Sequence, residues 1–190
     1  MNEEPARETP AKAIDVLVLG LGNVLLGDDG LGAAALAILE RDYRVPVGVR
    51  LVDGGTLGLS LLDLIADARH VILVDAVRTE APPGTFVRLD GADVMDAVLE
   101  RLSPHQVGVT DLLDAARLID CYPETVTLLG LVPEIIDLAV ERSHAVGAGL
   151  QELVAATVRE VQNLGYEMVP ETDASGRHRP IHDLARHFGM

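Results

Sequence analysis

Short uninterrupted apolar runs alternate along this chain with segments whose apolar positions recur at helical spacing. Asp15–Gly20 (DVLVLG) is such a run, and its ending in glycine fits a strand buried on both faces. Leu31–Arg41 follows with helical period and is rich in alanine. Val47–Val52 reads as a second strand ending at Asp53-Gly54-Gly55-Thr56, Leu57–Ala66 as a short amphipathic helix, and His70–Val74 as a third strand stopped by Asp75. Gly84–Leu89 is a fourth strand after the Pro82-Pro83-Gly84 turn, and Val94–Leu102 and Gly108–Ile119 are helices. Glu124–Leu131 is a fifth strand stopped by Pro133, and Ser143–Leu164 is the longest helical pattern, ended by Gly165. Strands alternating with helices predict an α/β fold with a doubly wound sheet. The short link before the fourth strand lets it pair antiparallel at one side, making the sheet mixed.

Composition supports that layout. At 190 residues a single domain is expected. With 48% hydrophobic residues, 3% aromatic and no Trp, the core must be aliphatic, which suits a mostly parallel sheet covered on both faces. Residues 1–13 read as a flexible lead-in and 14–168 as the domain. Residues 169–190 read as a basic, histidine-containing tail with Arg177, His178, Arg179, His182, Arg186 and His187.

A net charge of −15 disfavours nucleic acid and anionic membranes as partners. The single cysteine, Cys121, permits no internal disulfide and fits a reducing cytosol. Met1–Lys12 has no apolar signal core, and no uncharged run approaches a membrane span, so a cytoplasmic protein is expected. Nothing in the pattern sets the oligomeric state, for which a monomer is the default.

Functional groups in open α/β sheets gather beyond the carboxyl ends of the strands. Asp28 and Asp29 follow the first strand there, Asp53 the second and Asp75 the third, and His105 lies at a loop-to-helix junction in Ser103-Pro-His-Gln106. Two carboxylates and one imidazole from separate loops suit a divalent metal such as nickel, zinc, cobalt or manganese, with positions left open for substrate or water. Each residue also has a structural reading. Asp28 is best explained as a helix N-cap, with Asp29 favouring the helix dipole. Asp53 serves a turn as readily as a substrate. Asp75 is harder to explain structurally, because it ends an apolar strand with a charge. His70, His144, His178, His182 and Cys121 fit structural or solvated roles.

Two other chemistries fit less well. Gly20-x-Gly22 after a strand, with Asp53 ending the next, suggests a dinucleotide site, but Leu25 stands where a third glycine belongs. Asp28 and Asp29 would also repel a pyrophosphate. At ~4 Å and an effective dielectric of ~20 that repulsion is ~4 kcal/mol, more than the roughly 0.3–1 kcal/mol a helix dipole returns. The G-x-S-x-G and H-E-x-x-H patterns of common hydrolases are absent.

Taken together, Gly20-Leu-Gly-Asn-Val-Leu-Leu-Gly-Asp-Asp-Gly-Leu-Gly32, Asp53-Gly-Gly-Thr56, Val74-Asp-Ala76, Ser103-Pro-His-Gln106 and Leu129-Gly-Leu-Val-Pro-Glu134 resemble the motifs of the hydrogenase maturation proteases. The resemblance covers about residues 14–168. It implies a single three-layer α/β domain with a twisted, five-stranded, mostly parallel sheet and helices on both faces. It also implies an endopeptidase that removes a C-terminal peptide from the [NiFe] hydrogenase large-subunit precursor after nickel insertion. The family's metal ligands fall on Asp29, Asp75 and His105, which the resemblance makes the catalytic set, with the nickel supplied by the precursor and other divalent metals able to occupy the site. Asp29 stands where the family commonly has Glu, one methylene longer. Asp53, Gly54, Gly55 and Thr56 would lie close by and position the substrate peptide. A chaperone that recognises the nickel site without cleaving is the alternative.

Overall fold

The computed structural model describes residues 12–91, 93–94, 104–139 and 141–171. Five strands build the main sheet: β1 (Ile14–Leu21), β3 (Val49–Gly55), β4 (Ala68–Ala76), β5 (Phe86–Asp90) and β6 (Thr125–Leu131). Their order is β3-β1-β4-β6-β5. All neighbours run parallel except β5, which pairs antiparallel with β6 at the edge. The helices are α1 (Leu31–Asp42), α2 (Leu62–Asp67), α3 (Pro104–Leu118) and α4 (His144–Asn163).

Alternate residues of the central strands feed two separate cores, as the period-two geometry of a strand requires. Val16, Val18, Ile72, Val74, Leu129 and Leu131 pack with α1 and α4, through Leu36 and Leu39 on one and Leu150 and Leu153 on the other. Leu17, Leu19, Val71, Leu73, Val126 and Leu128 pack on the opposite face with Ile65 of α2 and with Leu112 and Leu113 of α3. A strand sandwiched this way buries both sides, which is why β1, β4 and β6 read as continuous apolar runs.

Element ends differ from the sequence expectation for identifiable reasons. β3 continues to Gly55 because a bulge carries it past Val52: Gly20 pairs with Asp53 but Leu21 pairs with Gly55. β4 continues past Val74 because β6 keeps pairing with it, with Asp75 opposite Gly130 and Ala76 opposite Leu131. The helix expected at 57–66 opens as a tight 3-10 turn (Gly58–Leu61) before α2. The helix expected over 94–102 lies outside the described residues apart from Val94. Tyr43–Arg44 (β2) and Val169–Pro170 (β7) form a two-residue antiparallel ribbon too short to carry a periodic signal. Among the described residues no helix is long and apolar enough to cross a membrane.

β1 connects through α1 to β3 on one side, whereas β4 connects through β5 and α3 to β6 on the other. The chain therefore changes direction between β1 and β4, and the crevice at their carboxyl ends is where such sheets place ligands.

Candidate active site

Two buried aspartates border this crevice. Asp75 is the next-to-last residue of β4, 5% exposed, and its Oδ1 accepts from its neighbour Ala76 N at 2.7 Å. Asp29 is fully buried in the turn after β1, and its Oδ2 accepts from Asn23 N at 2.7 Å. Both approach Gly22. A Cβ placed on that glycine would stand 1.9 Å from the Asp29 carbonyl oxygen and 3.5 Å from Asp75 Oδ1. Its φ of +106° is a second reason why only glycine fits there. Gly32 lets the start of α1 descend onto the sheet, since a Cβ there would meet Leu21 O at 2.4 Å and Val74 O at 2.5 Å. The glycines of this turn bring Asp29 down beside β4.

Most N–H groups of the turn are already engaged. Gly22 N donates to Gly55 O at 3.1 Å, Gly27 N to Ala139 O at 2.9 Å, Asp28 N to Ile135 O at 3.0 Å and Asp29 N to Leu26 O at 3.3 Å. Leu25 N donates to Asn23 Oδ1 at 3.0 Å. A dinucleotide cradle needs such donors open, and their engagement here counts against that alternative.

Asp28 is structural, but it does not cap α1. The residue before α1 is Gly30, and no side chain caps that end. Asp28 is fully buried and reaches across to the loop that follows β6. Its Oδ2 accepts from Glu134 N (2.8 Å) and Ile135 N (2.9 Å), and its Oδ1 accepts from Ser143 N (2.7 Å). Burial alone would raise the carboxyl pKa, but the bonds from Ile135, Ser143 and Glu134 outweigh it and hold Asp28 below its ordinary value. With both oxygens engaged, Asp28 is poorly placed to stand in for Asp29 as a ligand. Sequence reasoning missed this clamp, and its only sequence signal was a second carboxylate beside Asp29 without an exposed helix end to serve.

Asp53 is exposed and its Oδ1 accepts from Gly55 N at 3.1 Å, closing the bulge at the end of β3. Gly55 O in turn receives Gly22 N, so the Asp53–Thr56 segment borders the aspartate turn. His105 is the second residue of α3. Its side chain lies outside the described residues, but its backbone is placed. Gly108, one helical turn further on, packs against Gly58 in the turn that follows β3, with a Cβ on Gly108 3.1 Å from Gly58 Cα. α3 therefore starts at the same rim of the sheet as Asp29, Asp53 and Asp75. Among the described residues no three His, Cys, Asp or Glu side chains form a ready metal site.

The other histidines sit elsewhere. His70 bonds Thr125 Oγ1 at 2.9 Å near the opposite end of the sheet, and His144 is exposed at the start of α4 behind the Ser143 cap. Cys121 is a half-buried free thiol. A cavity of about 260 Å³ between β5 and α4 is lined by Phe86, Arg88 and Glu160 among others, and its Arg88 is already paired with Glu160 and Asp90.

Comparison with known proteins places this arrangement. The family described as "Hydrogenase maturation protease" matches residues 35–163, a span that contains Asp75 and His105 and begins just after Asp29. The chain is 33% identical over 156 residues to the hydrogenase 2 maturation protease of Escherichia coli, covering 82% of this chain and 95% of that protein. Its fold superposes on the hydrogenase maturating endopeptidase HybD from E. coli with a TM-score of 0.81 and 33% identity, covering 85% of this chain and all of that one. The [NiFe] hydrogenase maturation protease HybD from Thermococcus kodakarensis gives a TM-score of 0.66 at 28% identity, covering 77% and 99% of the two chains.

Proposed function

This chain belongs to the hydrogenase maturation protease family and is a peptidase, and we propose that it removes a C-terminal peptide from the large-subunit precursor of a [NiFe] hydrogenase once nickel has been inserted. The observation that carries this reading is that the buried Asp29 turn and the Asp75 carboxylate both come up against Gly22, at the point where the sheet changes winding direction. Two buried carboxylates carried by neighbouring segments of one crevice are costly in an apolar setting and favour a cation there. With His105 arriving on α3, they make a mixed oxygen–nitrogen ligand set suited to nickel and to other divalent metals.

In this reading the nickel belongs to the substrate. Asp29, Asp75 and His105 engage it from the enzyme side and set the scissile bond beside it. Asp53, Gly54, Gly55 and Thr56 position the peptide. The metal then acts as a Lewis acid on the carbonyl or delivers a hydroxide. A precursor without nickel offers no anchor, which makes the metal the signal that insertion is complete. The single free cysteine and the acidic charge fit a cytoplasmic enzyme acting on a protein partner.

The test is incubation with nickel-loaded and nickel-free precursor, followed by intact mass. A shortened large subunit with nickel, and none without it, is expected. Trimming of both forms would remove nickel from the mechanism. Stable binding with unchanged mass would favour a non-cleaving chaperone. A second expected result concerns His105→Ala, which should lower processing at least a hundredfold while the protein melts within a few degrees of wild type. Wild-type processing by that variant would take His105 out of the site.

A further inference from the structure

Large aliphatic side chains are exposed at ten described positions, and six of them crowd the carboxyl rim of the sheet. Val24 and Leu25 come from the turn after β1, Leu57 and Leu59 from the turn after β3, and Ile135 and Leu138 from the loop after β6. Leu138 is 81% exposed. Isolated exposed aliphatics need no explanation, but a set drawn from three loops around two buried carboxylates marks an interaction surface.

We infer that these six side chains form the docking face for the folded precursor, and that the complementary face is an apolar patch with a basic rim. The inference rests on the endopeptidase reading above. The aliphatics ring the aspartate turn from three separate loops, so their complement is a surface rather than a single extended strand. On these three loops Asp53, Glu134, Asp137 and Glu141 are exposed against Arg142, and the loop after β4 adds exposed Arg78 and Glu80, which offset each other, so the rim is net acidic. A cationic border on the partner is the electrostatic match.

The loops are held in place before any partner arrives. A bridge joins Leu26 to Ala139, with Gly27 N donating to Ala139 O and Ala139 N to Leu25 O (3.0 Å), which seats Leu25 beside Leu138. Asp28 ties the remainder of the post-β6 loop to the same turn. Leu57 N donates to Gly54 O at 3.0 Å, and the following Gly58 packs on α3. Little ordering is then needed on association, which is how a modest contact area yields affinity. Closing an apolar ring over the aspartates would also exclude water from them, as the rim of a binding hot spot does.

The experiment compares binding of purified large-subunit precursor to wild type, to the double variant Leu25→Asp/Leu138→Asp, and to Leu118→Asp, which alters an exposed aliphatic at the far end of α3. Binding is read by biolayer interferometry, cleavage by mass, and folding by thermal melt. The double variant is expected to raise Kd at least tenfold with its melting temperature kept, Leu118→Asp to match wild type, and wild-type binding to weaken as salt is raised. Unchanged Kd for the folded double variant overturns the docking face. So does a wild-type dimer that the double variant converts to monomer, which would assign the patch to a second copy of this chain. If the double variant unfolds, Leu25→Ser and Leu138→Ser are read singly by the same criteria. Wild type that binds nickel-loaded precursor through this patch without cleaving it would sink the endopeptidase reading and leave the docking face standing.

Discussion

Asp75→Asn is expected to leave a folded protein that has lost the ability to trim the precursor. Asparagine preserves the size of the side chain and an Oδ1 that can still accept from Ala76 N, so β4 keeps its local bond. The strand itself is held on both sides, by β1 and by β6 with Asp75 opposite Gly130, and the neighbouring Val74 and Ala76 are fully buried. What the substitution removes is the negative charge at the crevice. A neutral amide oxygen is a weaker ligand for a divalent metal than a carboxylate, and a charge aimed at the reacting centre is worth most in a site shielded from water. A loss of about a thousandfold in processing rate, roughly 4 kcal/mol of activation free energy, is expected. A time course by intact mass measures it, with a melting curve as the folding control. Cleavage within a few-fold of wild type would reduce Asp75 to a structural residue.

Asp75 was legible in the sequence because a charge terminating an apolar strand is costly to bury and so demands a reason. The layers were legible for a related cause: β1, β4 and β6 are buried on both faces, and their apolar runs have no solvent-facing positions to interrupt them. The ends of those strands were not, because they depend on partners. β3 reaches Gly55 only through a bulge against β1, and Asp75 falls inside β4 only because β6 continues beside it. The tie between Asp28 and Glu134, Ile135 and Ser143 joins positions more than a hundred residues apart, and no local pattern encodes it. The same separation hid the aliphatic rim. Val24, Leu57 and Leu138 share no local pattern, and only the sheet gathers their loops at one end. Fixing Asp29, Asp75 and His105 as the ligand set came from the resemblance of the motifs; the residues alone set Asp28 aside as a helix cap, singled out Asp75 and left Asp53 open between a turn and a substrate role.

The largest effect on stability is expected at Asp28. Removing its carboxylate by Asp28→Ala would leave the N–H groups of Glu134, Ile135 and Ser143 without their acceptor, in a place where the carboxylate itself has no solvent exposure. Hydrogen bonds to a charged group contribute about 1.5–3 kcal/mol each. Partial relaxation of an outer loop recovers some of that, so the net loss is expected at about 3–5 kcal/mol, which for a chain of this size lowers the melting temperature by roughly 6–20 °C. Asp28→Asn should fall between wild type and alanine: its Oδ1 can still receive Glu134 N and Ile135 N, but its Nδ2 then faces Ser143 N, donor against donor. Processing should fall along the same series, because the clamp fixes the turn that carries Asp29 and the loop that carries Leu138. Calorimetry and cleavage measured on the three proteins check the order. If Asp28→Ala melts with wild type and trims the precursor at full rate, the two loops are held by their backbone bridge at Leu26 and Ala139 alone, and the buried carboxylate is incidental to both fold and site.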